Sequence, residues 1–222
     1  MRKGLTEVVF LLDRSGSMAG LEADTIGGFN GMIQKQRKEE GEVYISAVLF
    51  DDRSEVLYDR VPVSKIEPMN EKQYYVRGCT ALLDALGSAI HHIANVHKYA
   101  REEDRPEKTL FIITTDGQEN SSRNYSYKEV KKLVEKQKKK YGWEFLFLGA
   151  NIDAVAEAGR FGISADRAID YECDEDGIEV SFEGISDVIS GFRKSKSGKE
   201  AGMVFAQCCA PIRADYEKRH KK

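Results

Sequence analysis

The sequence predicts an α/β fold: an open, mostly parallel sheet with one antiparallel edge strand and helices on both faces. Three observations carry that reading. Short apolar runs bounded by polar residues recur at 8–12, 43–50, 109–115 and 143–149, as in strands covered on both faces. Segments of helical periodicity lie between them, the alternation expected of βαβ units. One strand-to-strand connection, finally, is too short to hold a helix.

In chain order, the run Val8-Val9-Phe10-Leu11-Leu12 ends abruptly at Asp13. Ile26, Phe29 and Ile33 then share one face of a helix over 21–39. The strand at 43–50 is followed by Asp51-Asp52-Arg53-Ser54. Four polar residues cannot make a crossover, so 55–59 returns antiparallel, as a hairpin at a sheet edge. Pro62 and Pro68 mark a loop. Leu86, Ile90 and Ile93 define a helix over 81–99, and Tyr127, Val130 and Val134 another over 126–139. After the strand at 143–149, Asn151 caps a short helix to about 160, and a short strand follows at 167–171. Cys173-Asp174-Glu175-Asp176-Gly177 reads as an acidic turn, 186–193 as the final helix, 194–199 as a mobile loop and 217–222 as a solvated tail. No linker or repeat divides the chain. The expectation is a single domain over 1–200 with an extension over 201–222 that ends in a basic tail.

Composition agrees. Of 222 residues, 41% are apolar and 32% charged, and the mean hydropathy is -0.49. Such a chain builds a core and is neither disordered nor collagen-like. No apolar stretch is long enough to span a bilayer. The charge of -3, from 34 basic and 37 acidic residues, creates no global field for nucleic acid. The first apolar run is shorter than a secretory leader requires. Cys79, Cys173, Cys208 and Cys209 have no disulfide-framework spacing. Both features point to the cytoplasm, with the Cys208-Cys209 pair a reduced structural one.

Three polar groups interrupt the apolar framework at one end of the predicted sheet. Asp13-Arg14-Ser15-Gly16-Ser17 follows the first strand, Asp116-Gly117 follows the strand ending at Thr115, and Gly78-Cys79-Thr80 precedes a helix. Ligands of open parallel sheets bind beyond the carboxyl ends of the strands. There the hydroxyls of Ser15, Ser17 and Thr80 would meet the carboxylates of Asp13 and Asp116. Oxygen-only donors suit a hard divalent cation, Mg2+ or Mn2+. The Asp-x-Ser-x-Ser alternation points three oxygens one way, and Gly16 lets the turn bend. With only two carboxylates against a +2 ion, such a site would recruit a Glu or Asp carboxylate from outside.

These residues resemble the metal-ion-dependent adhesion site of von Willebrand factor A domains: Asp13-x-Ser15-x-Ser17, Thr80 in Gly-Cys-Thr-Ala-Leu, and Asp116 in Thr-Thr-Asp-Gly. The resemblance covers roughly 5–195. It implies a Rossmann-like doubly wound sheet with an antiparallel edge strand. It implies that Ser15, Ser17 and Thr80 ligate through their hydroxyls, Thr80 in the ligand-bound state, and that Asp13 and Asp116 act directly or through waters. A vacant position would take a partner's carboxylate. Asp13-Arg-Ser-Gly-Ser-Met18 is the form common in stand-alone bacterial and phage members, and Phe147-Leu148-Gly149-Ala150-Asn151 with Phe161-Gly162-Ile163 is similar to that group. Cys79 stands where many members have Gly, which restricts the loop or brings a thiol near the metal.

The function implied is a non-enzymatic, metal-dependent protein-interaction module, binding a partner that presents Asp or Glu, with no nucleic acid and no membrane involved. Gln118, Glu119 and Asn120 follow Asp116 and read as its partner-facing rim, or as an ordinary solvated loop. The alternative function is a magnesium-dependent hydrolase or phosphatase. Haloacid-dehalogenase-type enzymes need Asp-x-Asp after the first strand, and here Ser15 takes the third position. The serine-hydrolase elbow Gly-x-Ser-x-Gly is absent around Ser17. His91, His92 and His97 lack i, i+4 zinc spacing and read as exposed. The lysines between 131 and 140 read as the solvated face of a helix, with nucleic-acid binding as the other reading.

Overall fold

The computed structural model describes residues 1–221. Its sheet has six strands: β1 (Arg2–Asp13), β2 (Glu42–Phe50), β3 (Ser54–Pro62), β4 (Pro106–Thr115), β5 (Glu144–Gly149) and β6 (Ala168–Asp170). The order is β3-β2-β1-β4-β5-β6. All neighbours are parallel except β2 and β3, which pair antiparallel through the hairpin at 51–53. The edge strand is therefore where the four polar residues placed it.

The helices are α1 (Glu22–Lys38), α2 (Leu82–Tyr99), α3 (Tyr127–Tyr141), α4 (Ala154–Arg160), α5 (Glu175–Lys194), α6 (Gly198–Cys208) and α7 (Ala210–His220). Because strand side chains alternate faces, β1 feeds two cores. Val8, Phe10 and Leu12 join α1, α5, α6 and α7 in one. Val9 and Leu11 join α2, α3 and α4 in the other. The buried stretches of β1 and β4 thus read as continuous apolar runs, as strands covered on both faces must. Strand order reverses at β1, so the loops after β1 and β4 open at the topological switch point.

Local chemistry sets the helix ends. Ser126 and Glu129 form a reciprocal capping box at the start of α3, and Gly142 closes it in the left-handed conformation at φ 67°. Helix α4 is capped by Asp153, whose side chain accepts from the Ala156 N–H, and not by Asn151. Asn151 instead takes a left-handed backbone at φ 57°, one of the few side chains that tolerate it.

The C-terminal third departs most from expectation. The acidic segment is the start of a helix: Asp174 caps α5 by accepting from the Gly177 N–H. Helix α5 then runs to Lys194, well beyond the expected 186–193 on its amino side. Its Gly184 and Gly191 are poor helix formers. They stand where side chains of α7 and α6 press in: an added Cβ would lie 2.7 Å from Ile212 at Gly184 and 2.5 Å from Val204 at Gly191. The segment after α5 is pinned rather than loose, because the Lys108 ammonium donates to the carbonyls of Phe192 and Arg193 at 2.8 and 2.9 Å and also to that of Ser195. Most of the expected tail belongs to α7, and Arg219 on its last turn meets Asp174 at 2.5 Å. Among the described residues no helix is long and apolar enough to cross a membrane.

Candidate metal centre

The five residues singled out by pattern converge at the carboxyl ends of β1 and β4. Asp13 closes β1, Asp116 follows β4, and both are 2% exposed. Parallel pairing sets Leu12 opposite Thr114, which brings the two strand ends level. The loops are then stitched together by backbone. The Gly16 N–H donates to the Gly78 carbonyl at 3.1 Å, and the N–H groups of Asn120 and Ser121 donate to the Thr80 carbonyl. Asn120 returns the contact by accepting from the Thr80 N–H at 2.9 Å.

Side chains complete the cluster. The Ser15 and Ser17 hydroxyls lie 3.0 Å apart, and Ser17 donates to Asp116 Oδ1 at 2.5 Å. Gly117 shows that Thr80 faces the same space. A Cβ built there would lie 3.5 Å from Ser17 Oγ and 3.7 Å from Thr80 Oγ1, so a small residue leaves room between the hydroxyls. The Ser15 N–H and the Thr115 hydroxyl hold Asp13, at 2.7 Å on Oδ1 and 2.6 Å on Oδ2. The Tyr74 hydroxyl donates to the Asp13 carbonyl at 2.5 Å.

The electrostatics are one-sided. Burial pushes the Asp13 carboxyl up to about 6; the hydrogen bonds from Thr115 and Ser15 offset only part of this, and the charge on Asp116 adds to it. Burial likewise raises Asp116 against the hydrogen bonds from Ser17 and Cys173. No lysine, arginine or histidine forms a salt bridge to either carboxylate among the described residues. Two buried acids that meet only hydroxyls, amides and a thiol form a site that lacks a positive charge. A hard divalent cation suits that donor set, and these residues fit one. Among the described residues, no group of three or more His, Cys, Asp or Glu is placed to share a metal.

The rim differs from expectation. Gln118 is exposed. Glu119 turns inward: its carboxylate accepts from the N–H groups of Leu83, Ser121 and Ser122 and from the Ser122 hydroxyl, at 2.7–3.0 Å. It serves as an anchor between this loop and the first turn of α2. The nearby thiol is also a different one. Cys79 is exposed, whereas Cys173 donates to Asp116 Oδ2 at 3.7 Å. Thr115 was legible as the neighbour of Asp116, but nothing in the sequence links Tyr74 or Cys173 to a site so distant along the chain.

The histidines are not simply exposed. His97 is half-buried and bonds the fully buried Glu7 at 2.5 Å, with Arg60 on the other carboxylate oxygen at 2.7 Å. The lysines of α3 do lie on its outer face.

No family model and no curated protein matches this chain. Solved structures do. Proximal thread matrix protein 1 from the mussel byssus superposes with a TM-score of 0.56 at 17% identity, over 84% of this chain and 46% of that one. A structure of the same mussel protein with a zinc-occupied MIDAS motif gives 0.55 at 17%, again over 84% and 46%. A von Willebrand factor type A structure from Catenulispora acidiphila gives 0.53 at 14%, over 84% and 42%. The fold is thus that of von Willebrand factor A domains: a mostly parallel, doubly wound sheet with one antiparallel edge. The chain aligns with less than half the length of each of these proteins.

Proposed function

We propose that this protein is a metal-dependent interaction module that docks an Asp or Glu side chain of a partner protein. The cation would be Mg2+ or Mn2+, held by the hydroxyls of Ser15, Ser17 and Thr80 and by Asp13 and Asp116, directly or through water. One observation carries the reading: a pair of buried carboxylates, ringed by hydroxyls, without a cationic partner among the described residues. When bound, the ion would supply a Lewis-acidic position for an outside carboxylate. The chain's own part is to hold the donors still. Ser15 N–H and Thr115 fix both oxygens of Asp13, Ser17 orients Asp116, and Asn120 ties down the backbone of Thr80. Gln118 would line the partner-facing rim.

The zinc-occupied motif of the mussel protein supports a divalent ion on this fold. A single domain over 1–200 and a cytoplasmic, bacterial or phage setting belong to the same reading, from the form of the first motif and the cysteine usage. So does the absence of catalysis. Among the described residues, the four histidines bond Tyr125, Asp59, Glu7 and Glu172, and none bonds a residue of the metal cluster.

The test is thermal unfolding titrated with Mg2+ and Mn2+, with and without acetate as a carboxylate probe, for the wild type and Asp116→Ala. A ligand specific to the folded state raises the midpoint with its concentration. The expected result is a rise in the wild type, larger with acetate, that is lost in the variant. No rise under any condition would overturn the proposal. Magnesium-dependent hydrolysis of a generic phosphate ester, lost in Asp13→Asn, would favour the phosphatase instead.

A further inference from the structure

A small cavity lies on the inner side of the metal cluster. It has a volume of about 20 Å³ and is bounded by the carboxyl ends of β1, β4 and β5, by the first turn of α1 and by α5. Asp13 is the one residue on its wall that also belongs to the five oxygen donors of the cluster. Met18, Leu148, Ile178, Phe182 and Ile185 make most of that wall apolar.

Two hydroxyls on the wall are orphans. Thr25 on α1 and Ser181 on α5 are each 4% exposed, and neither side-chain oxygen has a hydrogen-bond partner among the described residues. A serine or threonine inside a helix commonly turns back to the carbonyl four residues earlier. Here neither the Leu21 nor the Gly177 carbonyl is used in that way. Thr25 neighbours the Tyr74 hydroxyl, but Tyr74 gives its proton to the Asp13 carbonyl and forms no hydrogen bond with Thr25. Thr114, also on the wall, is directed at the Leu11 carbonyl at 3.5 Å. A buried hydroxyl without a partner is costly, and two that face one cavity can be satisfied by a single shared partner.

Size and polarity select that partner. A single water needs on the order of 10–15 Å³ and two to four polar contacts. Organic ligands occupy cavities of roughly 300–1,000 Å³. An ion would meet apolar side chains on most sides, without the oxygens to replace its hydration shell. Asp13 supplies the third polar contact. Its Oδ1 accepts from the Ser15 N–H and its Oδ2 from the Thr115 hydroxyl, and each carboxylate oxygen can accept a second bond.

We infer that this cavity holds one buried water molecule, shared by the hydroxyls of Thr25 and Ser181, with Asp13 as its acceptor. The water ties α1 and α5 to the end of β1 from the side opposite the other donors of the cluster. The inference does not depend on a cation being bound there.

The direct test is a crystal structure of the protein in EDTA at a resolution that shows ordered water. The expected result is one solvent peak within hydrogen-bond distance of both hydroxyls. An empty cavity, or hydroxyls that bond Tyr74 or a helix carbonyl instead, would overturn the inference. Thermal unfolding in EDTA provides a second reading. Valine and threonine have similar helix preferences, so Thr25→Val isolates the hydroxyl. With water as its partner, loss of that hydrogen bond should lower the midpoint by about 2–4 °C. Relief of an unpaired hydroxyl would raise it. A rise, or no change, would therefore also count against the water.

Discussion

Two buried aspartates at the same end of the sheet have opposite surroundings. Asp51 follows β2 and its side chain is fully buried, as is that of Arg14, which donates to it at 2.8 Å; Arg77 adds a second contact at 2.8 Å. Burial pushes Asp51 up, but the hydrogen bonds from Arg77, the Arg53 N–H and Arg14 outweigh it and leave the carboxyl below its ordinary value. Asp13 follows β1, is as deeply buried, and meets no cation among the described residues; its carboxyl rises to about 6. Arg14, its immediate neighbour, turns away to Asp51 and Glu55. The contrast separates a closed structural ion pair from an open site. A fold that can neutralise a buried acid with the next residue in the chain, yet leaves Asp13 and Asp116 bare, has left a place for a charge from outside.

The contrast breaks first at Arg14. Arg14→Met strands Asp51 beside a single half-exposed arginine, and removing one partner of a buried pair costs about 3–5 kcal/mol. Urea unfolding should show that loss at neutral pH, with or without magnesium.

Asp13→Asn should do the reverse. A carboxyl at about 6 in the folded chain and about 3.9 in the unfolded one leaves stability untouched below the lower value. It destabilises progressively as pH rises through the upper one, by up to about 3 kcal/mol. The metal-free variant should therefore be more stable than the wild type at pH 7 and indistinguishable near pH 4, and magnesium should no longer raise its midpoint. Equal stabilities at both pH values would mean that Asp13 has a partner the structure does not show.

Smaller effects sharpen the same comparison. Thr115→Val keeps the shape but removes the donor to Asp13 Oδ2. Loss of such a supporting group weakens metal binding about 10- to 100-fold, readable by calorimetry with Mn2+. Glu119→Gln should lower stability by about 1 kcal/mol through its backbone contacts at the start of α2, while leaving Mn2+ affinity unchanged. A large loss of metal affinity would return Glu119 to the site. Cys173→Ala, which removes only a weak S–H donor, should change Mn2+ affinity least of all.

How much of this was legible in the sequence varied with how local the signal was. The runs at β1, β2, β4 and β5 announced a sheet covered on both faces because each strand is apolar on its own terms. The hairpin to β3 followed from a connection too short for any other path. The metal cluster was legible because Asp13, Ser15 and Ser17 sit on one turn and because Thr80 and Asp116 begin loops at strand or helix ends. The long helix α5 was not, since Gly184 and Gly191 lower its intrinsic preference and make sense only once Ile212 and Val204 are packed against them. Nor was the role of Glu119, which accepts from the Leu83 N–H on a helix about 36 residues away in the chain.

By itself, then, the sequence determined the sheet, its antiparallel edge and the identity of the oxygen donors, because periodicity, loop length and residue type act over a few neighbours. Only the tertiary structure decided which acids are neutralised and which are bare. Asp13 and Asp51 are both aspartates at strand ends, and what distinguishes them is where Arg14 points. Tertiary packing likewise set Cys173 against Asp116. These are properties of distance and burial, and an unfolded chain solvates all such groups alike.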